Sequence, residues 1–326
     1  VAAAPLVTDI LHFCGRWRSL AALAAHFHDY SQASLRTAIN TLVRHQLVVR
    51  SGRAANPRDG ALASWSAWNP AAGFFHFSTK DVRFRRDRAA IDRRLRRRFK
   101  TTPPPAPVKK YRGVRAIALP PAPTSDAFPQ ILLARRTWRE FSRRPMTVEE
   151  LGTVLGLTWR IQEWRTIPGR GRLPRKTSPS GGSLHPIELY VLARNVKGVR
   201  PGLYHYAADR HRLELLKAGA TREQIVRYLP TQTFYGRAAA VMLMTAVFAR
   251  TLWKYEFPRA YRVILAEAGH LAQTFCLTAT WLGLAPFCTM ALADSKIEKD
   301  LGIDGITESV LYAAGVGVRP LAVRRP

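Results

Sequence analysis

Cysteine is scarce in this chain, and what there is stands apart: Cys14, Cys276 and Cys288 form no CxxC pair and sit beside no histidine cluster. A disulfide framework and a zinc site are therefore both unsupported, and no metal is expected. Acidic residues are also few, 22 against 51 lysines and arginines, which leaves a formal charge of +29. Such a field attracts nucleic acid, anionic membrane or acidic peptides without saying anything about fold. The N-terminus shows no basic region followed by an apolar stretch, and no apolar run reaches membrane-spanning length. A cytoplasmic protein without a membrane segment is the expectation. Neither GxGxxG opening a helix nor GxxxxGK[ST] occurs, so no dinucleotide fingerprint or P-loop is available.

Apolar residues, by contrast, are plentiful. They make up 47% of 326 residues, with 10% aromatics, enough for one large core and a small one. Ser19 to His28 has apolar residues at helical spacing. Asp29-Tyr30-Ser31 then makes a turn, Ser31 is placed as an N-cap, and Leu35, Ile39, Leu42 and Val43 form a second apolar face. Leu47 to Arg50 reads as a short β run, with Ser51-Gly52-Arg53 turning into a wing. The order is that of a winged helix-turn-helix, and residues 1–84 are assigned to it.

From 85 to 125 the composition shifts to a basic, proline-rich linker. Arg93 to Arg98 is followed by Pro103 to Pro107 and by Pro120-Pro121-Ala122-Pro123. Prolines of this density act as stiff spacers, and the arginine run is expected on a solvated helix face. Residues 126–326 read as an α+β domain. Thr147 to Leu157 opens with a Thr cap and an acidic first turn. Ile187 to Ala193, Ala239 to Phe248 and Val310 to Val318 are expected as buried strands. Pro258 to Leu282 is expected as one long helix, apolar nearly all round and therefore buried in a core or a subunit interface.

Three segments carry candidate chemistry. Arg135-Arg136-Thr137-Trp138-Arg139 places three guanidiniums around a hydroxyl, a donor set suited to a phosphate or to flavin oxygens. Ser178-Pro179-Ser180-Gly181-Gly182-Ser183-Leu184-His185-Pro186 offers paired glycines that let backbone lie flat against a planar ligand. Lys254-Tyr255, with Arg259 and Arg262 close by, is a candidate acid/base pair. His270 is expected as a hydrogen-bonded core residue, and Cys276 and Cys288 as small buried ones.

Taken in this order, these segments resemble the nitroreductase-like flavoprotein superfamily, and within it the SagB-type dehydrogenases, the azoline oxidases of thiazole/oxazole-modified microcins. The resemblance covers about 126–320 and includes Arg259-Ala260-Tyr261-Arg262, Glu267-Ala268-Gly269-His270 and Gly283 to Phe287. It implies a nitroreductase-like FMN fold, a sheet flanked by helices in an obligate homodimer, with FMN in a cleft that both subunits line. It further implies that Arg135, Arg136, Thr137 and Arg139 hold the phosphate and pyrimidine edge, with Arg319 reaching the phosphate. Pro179, Ser180, Gly181 and Gly182 would approach from the partner chain, and Thr289, Met290 and Ala291 would lie along the isoalloxazine. Lys254 and Tyr255 match the pair that acts on substrate. Thr137 stands where serine is usual, which keeps the hydroxyl.

The activity implied is oxidation of a thiazoline or oxazoline in a precursor peptide, beside a cyclodehydratase. An NAD(P)H-dependent reductase of small electrophiles and a non-catalytic peptide-binding scaffold are the alternatives. In related enzymes winged-helix-like domains dock leader peptides by adding a strand. That use is expected of residues 1–84 in preference to nucleic-acid binding, because Ser31 to His45 offers mainly Arg36 and Arg44 for phosphates.

Overall fold

The computed structural model describes residues 5–45, 47–52, 57–82, 87–101, 120–122, 124–168 and 171–320. The chain divides into two compact units, Val1–Gly60 and Ala61–Pro326. In the first, α1 (Pro5–Phe13), α2 (Leu20–His26) and α3 (Gln32–Arg44) enclose Ile10, Leu23, Phe27, Leu35, Ile39 and Leu42. Ser19 caps α2 through Ala22 N at 3.0 Å, and Ser31 caps α3 through Ser34 N at 3.1 Å. The expected helix-turn-helix is present. The expected β run is not: Leu47 to Arg50 is bend and coil, with Leu47 and Val49 exposed, and no strand forms among the described residues of this unit. An isolated two-stranded ribbon is marginal in water without a third strand or a helix to bury its face. Residues 53–56, where the wing was expected to turn, lie outside the described residues.

Helix α4 (Pro57–Ala63) crosses the division, and a 3-10 turn at Ser66–Trp68 leads into α5 (Asn69–Ser78). Residues 61–82, which the sequence placed with the front domain, pack into the second unit. Trp65 donates to Ile306 O at 2.9 Å and Trp68 to Tyr255 O at 2.8 Å, both indoles being buried. A large ring needs apolar cover, and its N–H needs an acceptor; the larger core supplies both. Next, α6 (Arg88–Thr101) carries Arg93 to Arg98, all exposed, as expected. The prolines at 103–107 lie outside the described residues, and Pro120 to Ala122 adopts neither helix nor strand.

The remaining elements follow as α7 (Ala127–Ala134), β1 (Met146–Thr147), α8 (Val148–Thr158), β2 (Glu163–Ile167), β3 (Gly171–Arg175), β4 (Ile187–Ala193), β5 (Val196–Lys197), β6 (Gly202–Ala207) and β7 (Arg212–Ala218). Then come α9 (Arg222–Tyr228), β8 (Ala240–Val247), α10 (Phe248–Leu252), α11 (Ala260–Trp281), β9 (Leu284–Thr289), α12 (Asp294–Leu301) and β10 (Glu308–Val318). Thr147 and Glu150 form a reciprocal capping box on α8, which the sequence signalled.

Six strands make one sheet in the order β7-β6-β4-β8-β10-β9, with every neighbour antiparallel. Alternation sends Ile187, Leu189, Val191, Met242 and Met244 toward α8 and α11. It sends Leu192, Val241 and Leu243 toward Tyr228 of α9 and Ile297 of α12. Burial on both faces explains why β4 and β8 read as continuous apolar runs rather than as alternating ones. The result is a sheet with helices on both sides, the α+β class expected. Among the described residues no helix is long and apolar enough to cross a membrane.

Candidate active site

Strand β8 delivers the chain through α10 to Lys254 and Tyr255, whose amides both bond Thr251 O. Trp68 fixes the next carbonyl by donating to Tyr255 O. Facing them is the loop from Ser178 to His185. Gly182 has φ +68°, and a Cβ placed there would stand 2.7 Å from Lys254 Nζ and 2.9 Å from Tyr255 OH. A Cβ at Gly181 would collide with Val263 Cγ1. A side chain at Gly181 is blocked by Val263, and at Gly182 it would displace Lys254 and Tyr255, so the bare backbone of Gly182 lies directly against the lysine–phenol couple. Lys254 Nζ is 5.1 Å from the Tyr255 ring centroid, and both residues are half-buried.

Short bonds hold the loop. Ser178 Oγ is 2.7 Å from Thr274 Oγ1, His185 N donates to Ser180 Oγ at 2.9 Å, and Ser183 Oγ donates to Pro174 O at 2.7 Å. Val263, His270 and Thr274 share one face of α11, along which the loop runs. Pro179 at the loop's crest is exposed. His270 is exposed too, with Nδ1 3.4 Å from Pro179 O, and so it is not the core residue expected. Arg262, Gln273 and Trp281 also reach solvent, so within one chain α11 is buried on part of its circumference.

The second constellation begins where α7 ends. Arg135 to Glu140 runs without helical or strand pairing; Trp138 N donates to Pro286 O at 3.0 Å and Ser142 N to Val318 O at 2.9 Å. Its side chains divide. The Arg136 guanidinium lies 4.1 Å from the Trp138 ring centroid, and that of Arg319 lies 5.2 Å from the same ring. Arg319 also donates to Leu284 O and Thr280 O. Burial, then the neighbouring Arg136 charge, push Arg319 below the usual arginine range. Arg139 instead stands over the Phe234 ring at 5.9 Å. Thr137 is exposed. Arg135, Arg136 and Arg139 make no ion pair among the described residues. Free forks of donors at the surface suit an anion such as a phosphate.

Arg135 also brings out a feature the sequence reading missed. The neighbouring Cys276 thiol on α11 draws the Cys288 thiol on β9 below the ordinary thiol range, against the effect of burial and helped by Tyr312 and Arg135. Two cysteines 12 positions apart, on different elements, give no sequence signal; only packing of the helix on the edge strand joins them. At the end of β9, Thr289 Oγ1 accepts from Ala291 N, Ala291 O accepts from Gln232, and Met290 points outward, 63% exposed.

The structure thus gathers the sequence-derived residues into two half-sites. Lys254, Tyr255, Gly181 and Gly182 stand at the start of α11, beside the start of β10, where Val247 pairs with Glu308. The loop runs along α11 from Val263 to Thr274, while Arg319 bonds Thr280 O nearer the helix end and Arg136 shares the Trp138 ring with it. The arginines carry donors that suit the FMN phosphate, and the loop offers exposed Pro179 and bare backbone that suit its ring, the space beside Gly181 and Gly182 being taken by Val263, Lys254 and Tyr255.

Comparison with known proteins agrees with this architecture. Residues 132–318 match the model of the nitroreductase family. A putative nitroreductase of Methanocaldococcus jannaschii, MJ1384, is 32% identical over 173 residues, which are 53% of this chain and 83% of that protein. The microcin B17-processing protein McbC of Escherichia coli is 29% identical over 149 residues, covering 44% of this chain and 54% of McbC. Among solved structures, a putative nitroreductase from Anabaena variabilis superposes with a TM-score of 0.51 at 26% identity, over 59% of this chain and 38% of that one. With a paired-glycine loop, an arginine clamp and a two-faced antiparallel sheet in the matched region, the chain belongs to the nitroreductase family.

Proposed function

We propose that the chain is an FMN-dependent dehydrogenase that oxidises thiazoline or oxazoline rings of a precursor peptide to thiazoles or oxazoles. The observation that carries the reading is the cradle at Gly182, where backbone, ammonium and phenol meet within contact distance. A reductase that only shuttles hydride from a nicotinamide needs no such base beside its flavin loop. The likeness to McbC, named for processing microcin B17, supports a peptide substrate.

FMN, when bound, supplies the acceptor for hydride leaving the azoline Cβ. Arg135, Arg136, Arg139 and Arg319, with Thr137, hold its phosphate and pyrimidine edge, and Thr289, Met290 and Ala291 line its ring. Pro179, Ser180, Gly181 and Gly182 come to it from a second copy, as the resemblance to the SagB-type dehydrogenases implies. The homodimer is supported further by apolar side chains left in solvent: Phe128, Leu132 and Leu133 on α7 and Trp281 on α11. Lys254 or Tyr255 takes the Cα proton, with the other holding the ring in place by hydrogen bonding.

The front unit is assigned to the leader peptide. Its groove of about 820 Å³ is lined by Leu11, Ile39, Val43, Arg18, Arg36 and Arg50, apolar and basic together. A cyclodehydratase supplies the azoline, and the reaction is placed in the cytoplasm. The test is a Lys254→Ala protein. It is expected to purify yellow, bind FMN normally and lose azoline oxidation. Wild-type turnover in that variant would refute the role, and bleaching of the flavin by NADPH alone would favour a reductase.

A further inference from the structure

On the far side of the loop from Gly182, a cleft of about 540 Å³ opens between the β2–β3 hairpin and the sheet. Trp159, Trp164, Pro174 and Tyr206 form its walls; Lys176 and His185 are its polar groups nearest the loop. The other charges that line it are matched among themselves. Glu188 pairs with Arg250 and, at 3.1 Å, with His205; Glu214 takes His205 at 3.1 Å and Arg212 at 2.7 Å; Asp209 pairs with Arg210. Lys176 makes no hydrogen bond or ion pair among the described residues. Burial pushes its ammonium below the usual lysine range, and Arg250 adds to that against the pull of Glu188 and Glu267. Glu188 and Glu267 offset part of that burial cost from beyond ion-pair distance, and a ligand carboxylate in contact with the ammonium offsets more.

His185 is held in a way that simple packing does not require. Its backbone has φ +44°, its N–H is taken by Ser180 and its carbonyl by Arg250. Its ring is buried with Nδ1 3.6 Å from Glu267 Oε1, and neither oxygen of that buried carboxylate has a closer partner among the described residues. Backbone strain fixed from several directions is characteristic of positions that serve a ligand. An Nδ1–H turned toward that carboxylate leaves Nε2 as an acceptor, so the cation facing the cleft from this side is Lys176.

We propose that this cleft binds an organic carboxylate carried on an apolar or aromatic body, the acid meeting Lys176 and the body lying against Trp159 and Trp164. The source is either an acidic side chain of a bound peptide or a free aromatic acid; both present the same chemistry. The site goes beyond the dehydrogenase reading and is read by binding alone, so azoline turnover can fail while it holds.

The full-length protein is titrated calorimetrically with indole-3-acetate and with its neutral isostere indole-3-acetamide. In parallel it is titrated with short peptides carrying Trp-Asp or Trp-Asn. One charged hydrogen-bonded contact predicts that the acid binds roughly tenfold tighter than the amide in at least one series. Preference in the peptide series only identifies a peptide side chain, and preference in both a free acid. Lys176→Met is expected to abolish the preference and Lys176→Arg to keep it, while Trp164→Ala weakens acid and amide alike. Equal binding of acid and amide, or an undiminished preference in Lys176→Met with the melting temperature unchanged, overturns the proposal.

Discussion

Replacing Gly182 by alanine tests the contact on which the catalytic reading stands. Two costs follow from the structure. An L residue at φ +68° is strained by about 1 kcal/mol or somewhat more. The new methyl also meets Lys254 Nζ at 2.7 Å and Tyr255 OH at 2.9 Å, so those groups must retreat by several tenths of an ångström. The lysine end is flexible and yields cheaply, which keeps the stability loss near the backbone cost alone, roughly 2–4 °C in melting temperature for a domain of this size. Turnover is far less tolerant: a displacement of about 1 Å at the reacting groups costs on the order of a hundredfold.

Gly302 supplies the control, since its φ is +75° and nothing lies within 4 Å of a Cβ there. Gly302→Ala should lose comparable stability and no turnover. The assay is azoline oxidation under saturating peptide, with chemical denaturation alongside. Equal turnover in the two variants would refute the reasoning, because the shared strain would then account for everything and the cradle for nothing.

Other consequences are open to measurement. Arg136→Gln, exposed and unpaired, should weaken FMN binding about tenfold by flavin fluorescence titration while leaving the unfolding transition of the flavin-free protein in place. Trp68→Ala should cost about 3–5 kcal/mol in urea unfolding of the second unit, through a cavity and a lost bond to Tyr255 O; a surface-like loss below about 1 kcal/mol would return residues 61–82 to the front unit. His76 is held at about 4 by burial, then by Lys80. Its folded pKa lies below the unfolded one, so the unfolded chain binds the extra proton between pH 6.5 and 4. Stability should therefore fall as pH drops through that window, by up to roughly 3 kcal/mol, and His76→Gln should flatten the slope in denaturation curves.

Local rules made much of this protein legible before any coordinates. The Thr147–Glu150 box, the Ser31 cap, the runs of β4, β8 and β10 and the length of α11 all depend on residues within a few positions of one another. Periodicity and capping act at that range. The motif residues were equally visible, because guanidiniums, paired glycines and a Lys-Tyr doublet declare their chemistry by type.

Their arrangement was not legible, since it depends on packing between distant segments. Gly182 meets Lys254 only because β4 and β8 are neighbours in the sheet and the loop lies along α11. Arg136 meets Arg319 over Trp138 only because that segment pairs with β9, and β9 with β10. Trp65 and Trp68 joined the larger core because burying two indoles with satisfied N–H groups outweighs closeness in sequence to the front helices. Leu47 to Arg50, β-like in composition, stayed irregular for want of a strand to pair with among the described residues. Composition and spacing decided which elements and reactive groups exist; burial and hydrogen-bond satisfaction across the whole fold decided which of them meet.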